Sequence, residues 1–97
     1  MVNIKMEIRP DGGSYTASGH CRPELCEAIC VLEDTLDVNL RRRGLHSDGM
    51  IEDGERRMEW TGEGSGLLAD FIAVAFEEIS DSCPDEVYAE VTRYENQ

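Results

Sequence analysis

Apolar and polar residues alternate without a break from Val2 to Arg9. Val2, Ile4, Met6 and Ile8 fall on one side, and Asn3, Lys5, Glu7 and Arg9 on the other. A period of two is that of a strand with one buried face. Pro10-Asp-Gly-Gly13 is turn chemistry, and alternation resumes from Ser14 to Gly19 with Tyr15 and Ala17 on one side. The opening therefore predicts an antiparallel hairpin whose second strand ends at His20.

The period then changes. Pro23 suits the first turn of a helix, and Leu25, Ile29, Leu32, Leu36 and Leu40 follow at helical spacing as one apolar stripe. Glu24 and Glu27 favour the positive N-terminal end of that helix. Arg41, Arg42 and Arg43 favour its negative C-terminal end, and Gly44 stops it. This capping position accounts for the triple arginine without a nucleic-acid patch. A polar loop containing His46 and Gly49 leads through Met50 and Ile51 to an Asp53-Gly54 turn. Arg56 to Thr61 then alternates as a third strand, Met58 and Trp60 sharing a face. Gly62 to Gly66 breaks it. A second helix is expected from about Leu67 to Ser80, with Leu68, Phe71, Ile72, Ala75 and Ile79 as its buried stripe. After Pro84, Val87, Ala89 and Val91 alternate as a last strand.

The order is ββαβαβ. Two helices, each with one apolar stripe, can cover one face of a four-stranded sheet, so the expected fold class is α+β with two layers. The 97 residues form one domain, residues 1–97, because a chain of this size builds one core. With 40% hydrophobic and 31% charged residues, the chain has the composition of a foldable globule.

The net charge of −12 excludes the broad basic face that nucleic-acid binding requires. The charge is also uneven. Residues 1–44 hold six basic and seven acidic side chains, and residues 45–97 hold three and fourteen. A basic peptide would be drawn to the second half. The longest apolar-rich stretch, Gly66 to Phe76, contains Asp70 and falls well short of the roughly 20 residues that cross a bilayer. The opening MVNIKMEIRP has no apolar signal core. The expected location is the cytoplasm, with no membrane partner and with the four cysteines as free thiols.

Three of those cysteines and one histidine lie within SGHCRPELCEAIC, residues 18–30. His20 ends a strand, and Cys26 sits near the start of the following helix. A helix N-terminus and a neighbouring imidazolium both favour a thiolate. The imidazole can take the thiol proton and later return it to a leaving amine. Unpaired N–H groups of the first helical turn are candidate donors to an oxyanion. Cys30, one turn deeper, is expected to pack in the core. Cys21 has no helix end behind it, Cys83 ends the second helix without a role, and His46 is expected to be solvated. His20, Cys21, Cys26 and Cys30 are also four candidate zinc ligands, but the two separated ligand pairs usual in structural zinc sites are missing.

The arrangement resembles the ribosomal-processing cysteine protease family, Prp, over nearly the whole chain. The resemblance is carried by the opening MVNIKMEIRPDGG, by Ser18-Gly19-His20, by the helix start ELCEAICVL (Glu24 to Leu32), by the second-helix segment Gly66 to Ile79, and by Pro84 to Val91. It implies Cys26 as nucleophile and His20 as general base and acid, with Glu24 as an orienting or substrate-contacting acid. Cys30 stands where the family commonly has a serine. The resemblance further implies a homodimer, no cofactor or metal, and a protein or peptide substrate with a basic N-terminal segment. That substrate is large-subunit ribosomal protein twenty-seven, which loses a short N-terminal extension, or a phage structural protein. Two features depart from the family. Its long glycine-rich loop between histidine and cysteine is reduced to Cys21–Leu25, and its aspartate three residues before the nucleophile is replaced by Pro23. These departures leave a second expectation open, a non-catalytic dimeric interaction module of the same fold.

Overall fold

The alternating segments become five strands: β1 (Val2–Arg9), β2 (Gly12–Gly19), β3 (His46–Glu52), β4 (Glu55–Thr61) and β5 (Val87–Arg93). The helices are α1 (Pro23–Arg42) and α2 (Ser65–Ser82). The structure, a computed structural model, describes residues 1–52 and 54–94, those at 46–48, 50 and 52 through their backbone alone. The α+β class, the two layers and the four strands and two helices read in order from the sequence are all present. The sheet runs β3-β4-β2-β1-β5, so β3 is an additional edge strand. Sequence reading leaves that segment as a loop because it contains Gly49 and has no alternation. An edge strand needs hydrogen bonds on one side only, and β3 obtains them antiparallel to β4, with Gly49 opposite Met58 and Ile51 opposite Arg56. Two expectations fall outside the described residues: the side-chain environment of His46 and the Asp53 half of the turn.

β1 and β2 form the expected hairpin, with Met6 opposite Tyr15 and Ile4 opposite Ala17. β5 lies parallel to β1 on its other side, Val2 opposite Val87. The inward positions Val2, Ile4, Met6, Ile8, Tyr15, Ala17, Met58, Trp60 and Val87 are all buried. They meet Ile29, Leu36 and Leu40 of α1 and Ala69, Ala73 and Phe76 of α2. The Tyr15 and Phe76 rings pack 5.3 Å apart between centroids.

α1 follows its predicted stripe. It ends as expected at Gly44, which takes a φ of +73° and lets the Leu45 N–H reach the Leu40 carbonyl. α2 is rotated from expectation: Leu68, Ile72 and Ile79 of the expected stripe pack half-buried against the core but flank the contact. Its buried strip is Ser65, Gly66, Ala69, Ala73 and Phe76, whereas Phe71 is 84% exposed. Small residues explain the rotation. A Cβ at Gly66 would stand 2.4 Å from the Arg9 carbonyl oxygen, so α2 rests directly on the end of β1 through its smallest face. Larger residues on that side would lift the helix off the sheet. Among the described residues no helix is long and apolar enough to cross a membrane.

Candidate active site

Gly19 closes β2 with a φ of +98°, and a Cβ there would stand 2.1 Å from the Met1 carbonyl oxygen. A residue with a side chain meets both a backbone it disfavours and a collision. Glycine therefore lets the strand end turn sharply, and the turn carries His20 over the β3–β4 connection. The His20 Nε2 lies 3.6 Å from where a Gly54 Cβ would stand. The imidazole is exposed.

Only His20, Cys21 and Arg22 separate β2 from α1. The connection is tied to residues more than sixty positions further along the chain. The Arg22 guanidinium lies 3.4 Å from the Glu86 carboxylate, the Arg22 N–H donates to the same carboxylate, and Arg22 also reaches Cys83 Sγ at 3.8 Å. Cys83 thus contacts the candidate loop, a neighbour that its place at the end of α2 does not suggest.

α1 starts at Pro23 with no side chain capping its first N–H groups. Proline has no N–H, and the Leu25 and Cys26 N–H groups both donate to the Arg22 carbonyl at 3.1 Å. Among the described residues, Glu24 alone in this first turn keeps an N–H without an acceptor. The supply of oxyanion donors expected from a free helix end is thereby reduced to one.

His20 and Cys26 line one cleft of about 240 Å³ between the start of α1 and the β3–β4 turn. Its apolar wall is Val2, Ala17 and Ile29, and Glu33, Glu55 and Arg56 add charge. Among the described residues, no hydrogen bond joins His20 to Cys26. The Cys26 Sγ instead lies 3.3 Å from the Cys21 Sγ and 3.4 Å from the Cys21 carbonyl oxygen. Burial, followed by the hydrogen bond and charge of Cys26, pushes the Cys21 thiol up to about 11. Cys21 therefore keeps its proton at neutral pH.

Cys30 is exposed and lines the cleft with Cys26, so it does not pack in the core as expected. The inward positions of α1 are Ile29 and Glu33, which flank it. What burial its thiol has, together with the negative charges of Glu33 and Asp34, pushes the Cys30 thiol up. Glu24 is exposed on the first turn and is not part of the cleft wall.

Glu33 is the residue that sequence reading missed. It is 4% exposed, on the apolar face of α1 between Ile29 and Leu36. The Tyr15 hydroxyl donates to one carboxylate oxygen. Arg56 reaches the other at 3.4 Å while donating to Asp34 at 2.7 Å. Burial raises the Glu33 pKa against the opposing pull of Tyr15 and Arg56. Burial also raises that of Tyr15, and the adjacent Glu33 adds to the effect. Burial alone would lower the Arg56 pKa, but its bond to Asp34 and the Glu33 charge raise it overall. The available signal was positional: an acid three residues before Leu36 and four after Ile29 stands on the stripe that must be buried.

A hollow of about 630 Å³ between the helices is larger, but neither histidine nor cysteine lines it. Among the described residues no three His, Cys, Asp or Glu side chains are grouped to hold a metal ion.

No protein-family profile matches the sequence, and no curated protein matches it either. Solved structures do match. The ribosomal processing protease Prp of S. aureus, in complex with a covalently linked product peptide, superposes with a TM-score of 0.77 at 13% identity, covering 95% of this chain and 100% of that one. SMU.848 from Streptococcus mutans gives 0.69 at 16% identity, covering 97% and 96%. A hypothetical protein from Staphylococcus aureus gives 0.68 at 11%, covering 97% and 100%. At these identities the likeness extends to the architecture, and the chain has the fold of the Prp protease over nearly its whole length.

Proposed function

We propose that this chain is a cysteine endopeptidase with Cys26 as nucleophile and His20 as general base and acid. The observation that carries the reading is the shared cleft: both side chains line one hollow, in a fold that a protease also uses to bind peptides. Rotation of the Cys26 side chain away from Cys21 frees its sulfur for the cleft. His20 then takes the thiol proton, and the sulfur attacks the scissile carbonyl carbon. The C–N bond breaks as the imidazolium protonates the leaving amine. Water, deprotonated by His20, hydrolyses the thioester and restores the thiol. The Glu24 N–H is the donor available to the oxyanion, and no cofactor or metal takes part. Glu55 in the cleft, with the exposed carboxylates of Glu24 and Glu27 beside it, suits a basic peptide. The substrate is a basic N-terminal segment of large-subunit ribosomal protein twenty-seven or of a phage structural protein, met in the cytoplasm. The working form is a homodimer, for which the exposed apolar stripe Leu67, Phe71 and Val74 on α2 offers a surface.

A second reading is favoured by a specific observation. The short His20–Arg22 connection is held by Glu86, and the Cys26 thiol is turned toward Cys21. A non-catalytic dimeric interaction module would have this arrangement.

Cleavage of basic N-terminal peptides, followed by mass spectrometry, distinguishes the two. The protease reading requires cleavage that Cys26→Ala abolishes and His20→Ala reduces at least a hundredfold. Peptide binding without cleavage, unchanged by Cys26→Ala, would establish the module.

A further inference from the structure

Among the described residues, the Cys26 sulfur in the cleft wall makes its side-chain contact with the sulfur of Cys21, which lies off that wall. Cys21 and Cys26 stand 3.3 Å apart, Sγ to Sγ, against about 2.05 Å in a disulfide. Closing that gap brings the two sulfurs about 1.2 Å nearer to each other. Cys21 comes from the connection that Arg22 and Glu86 anchor, and Cys26 from the first turn of α1. Both backbones are therefore held in place on either side of the pair. Cys30 is exposed one turn further along α1, and Cys83 is in contact with Arg22. Neither is joined to Cys26 in this way.

We infer that Cys21 and Cys26 are a reversible oxidative modification site, a dithiol that hydrogen peroxide converts to a disulfide. The chemistry balances in two steps. The Cys26 thiolate attacks one peroxide oxygen, the O–O bond breaks, and hydroxide leaves, so that Cys26 becomes a sulfenic acid and peroxide is reduced. The Cys21 sulfur then attacks the Cys26 sulfur. The S–S bond forms, the S–O bond breaks, and the departing hydroxide takes the Cys21 proton as water. Cys26 is oxidised first because its sulfur lines the open cleft, where peroxide reaches it, and Cys21, off the cleft wall beside it, is the resolving partner. Two further electrons from a thiol reductant reverse the reaction. The disulfide itself is independent of the peptidase reading. Its consequence, that oxidation silences the nucleophile, rests on that reading.

The test treats the full chain with a few molar equivalents of hydrogen peroxide at neutral pH, at least two being needed to carry a thiol to the sulfinic acid, and digests it after Glu residues. Cleavage at Glu24 and Glu27 separates Cys21, Cys26 and Cys30 onto different peptides. The expected product is a peptide joining Cys21 to Cys26, with two of the four thiols lost and both recovered by dithiothreitol. In Cys21→Ser, Cys26 should advance instead to the sulfinic acid, which dithiothreitol does not recover. Reversible oxidation of wild type that persists in Cys21→Ser, a Cys26–Cys30 link, or a Cys26 sulfinic acid in wild type would each overturn the proposal. The linked peptide without any peptidase activity in the reduced protein would uphold the modification site and remove the protease reading. Peptidase activity unaffected by peroxide would do the reverse.

Discussion

The Tyr15 hydroxyl on β2 donates a hydrogen bond to the Glu33 carboxylate on α1, inside the core and directly beneath the candidate cleft. The pair fixes α1 against the sheet about one turn beyond Cys30. It also places a buried acid whose charged form is disfavoured.

That acid has a pH signature of definite sign. Burial raises the Glu33 pKa in the folded chain above its ordinary 4.5. A raised carboxylate contributes stability that is fully present below the unfolded pKa and is lost as pH rises through the folded one. Thermal melts of wild type and Glu33→Gln from pH 7 down to about 4.5 should therefore diverge in favour of wild type as pH falls. A difference that moves the other way would mean that Arg56 outweighs burial at this site.

Gly19→Ala combines a disfavoured backbone with a collision against the Met1 carbonyl. It should cost about 1–3 kcal/mol, read from urea unfolding. Gly54→Ala shares the positive φ, but its Cβ meets only the His20 ring at ordinary contact distance. It should cost less, and should alter the His20 imidazole resonances seen by NMR.

Arg22→Ala removes an exposed ion pair with Glu86, whose side chains are 56% and 33% exposed. Such pairs contribute about 0–1 kcal/mol, so global stability should change little. The local effect should be larger: hydrogen exchange at Cys21 and Arg22 should rise by an order of magnitude, because their connection loses its anchor. A global loss of stability equal to the local one would show that the connection and the core open as one unit.

Phe71 and Phe76 are five residues apart on α2 and should behave oppositely. Phe76→Ala empties a fully buried site and should cost about 3–5 kcal/mol. Phe71→Ser should leave the melt of the isolated domain within about 0.5 kcal/mol of wild type. If the proposed homodimer forms through α2, sedimentation should show it in wild type and its loss in Phe71→Ser. A dimer that survives would place the interface elsewhere.

The strands β1, β2 and β4 and the course of α1 are legible because each buries one face, and burial imposes a period. β3 escapes because an edge strand is held by backbone hydrogen bonds that accept almost any side chain. The orientation of α2 escapes for a different reason. Its contact with the sheet is made by Gly66, Ala69 and Ala73, where smallness matters more than hydropathy, while Leu67, Phe71 and Val74 remain exposed. At the site, sequence spacing brings His20 and Cys26 to one cleft. It does not reveal that Cys21 would claim the Cys26 sulfur, which depends on side-chain rotation within a short connection. Nor does it reveal that Glu33, a charged residue, would be buried with Tyr15 and Arg56 as partners.

The parallel pairing of β1 with β5 joins the first strand of this fold to its fifth. Until Val87 to Arg93 leave the ribosome, the side of β1 away from β2 is a bare sheet edge, and Val2, which forms part of the cleft wall, is paired on one side only. Contacts so distant along the chain form late and slowly. The cleft is therefore completed only after β5 has been made, and a chain stalled before β5 presents an adhesive edge in place of a finished site.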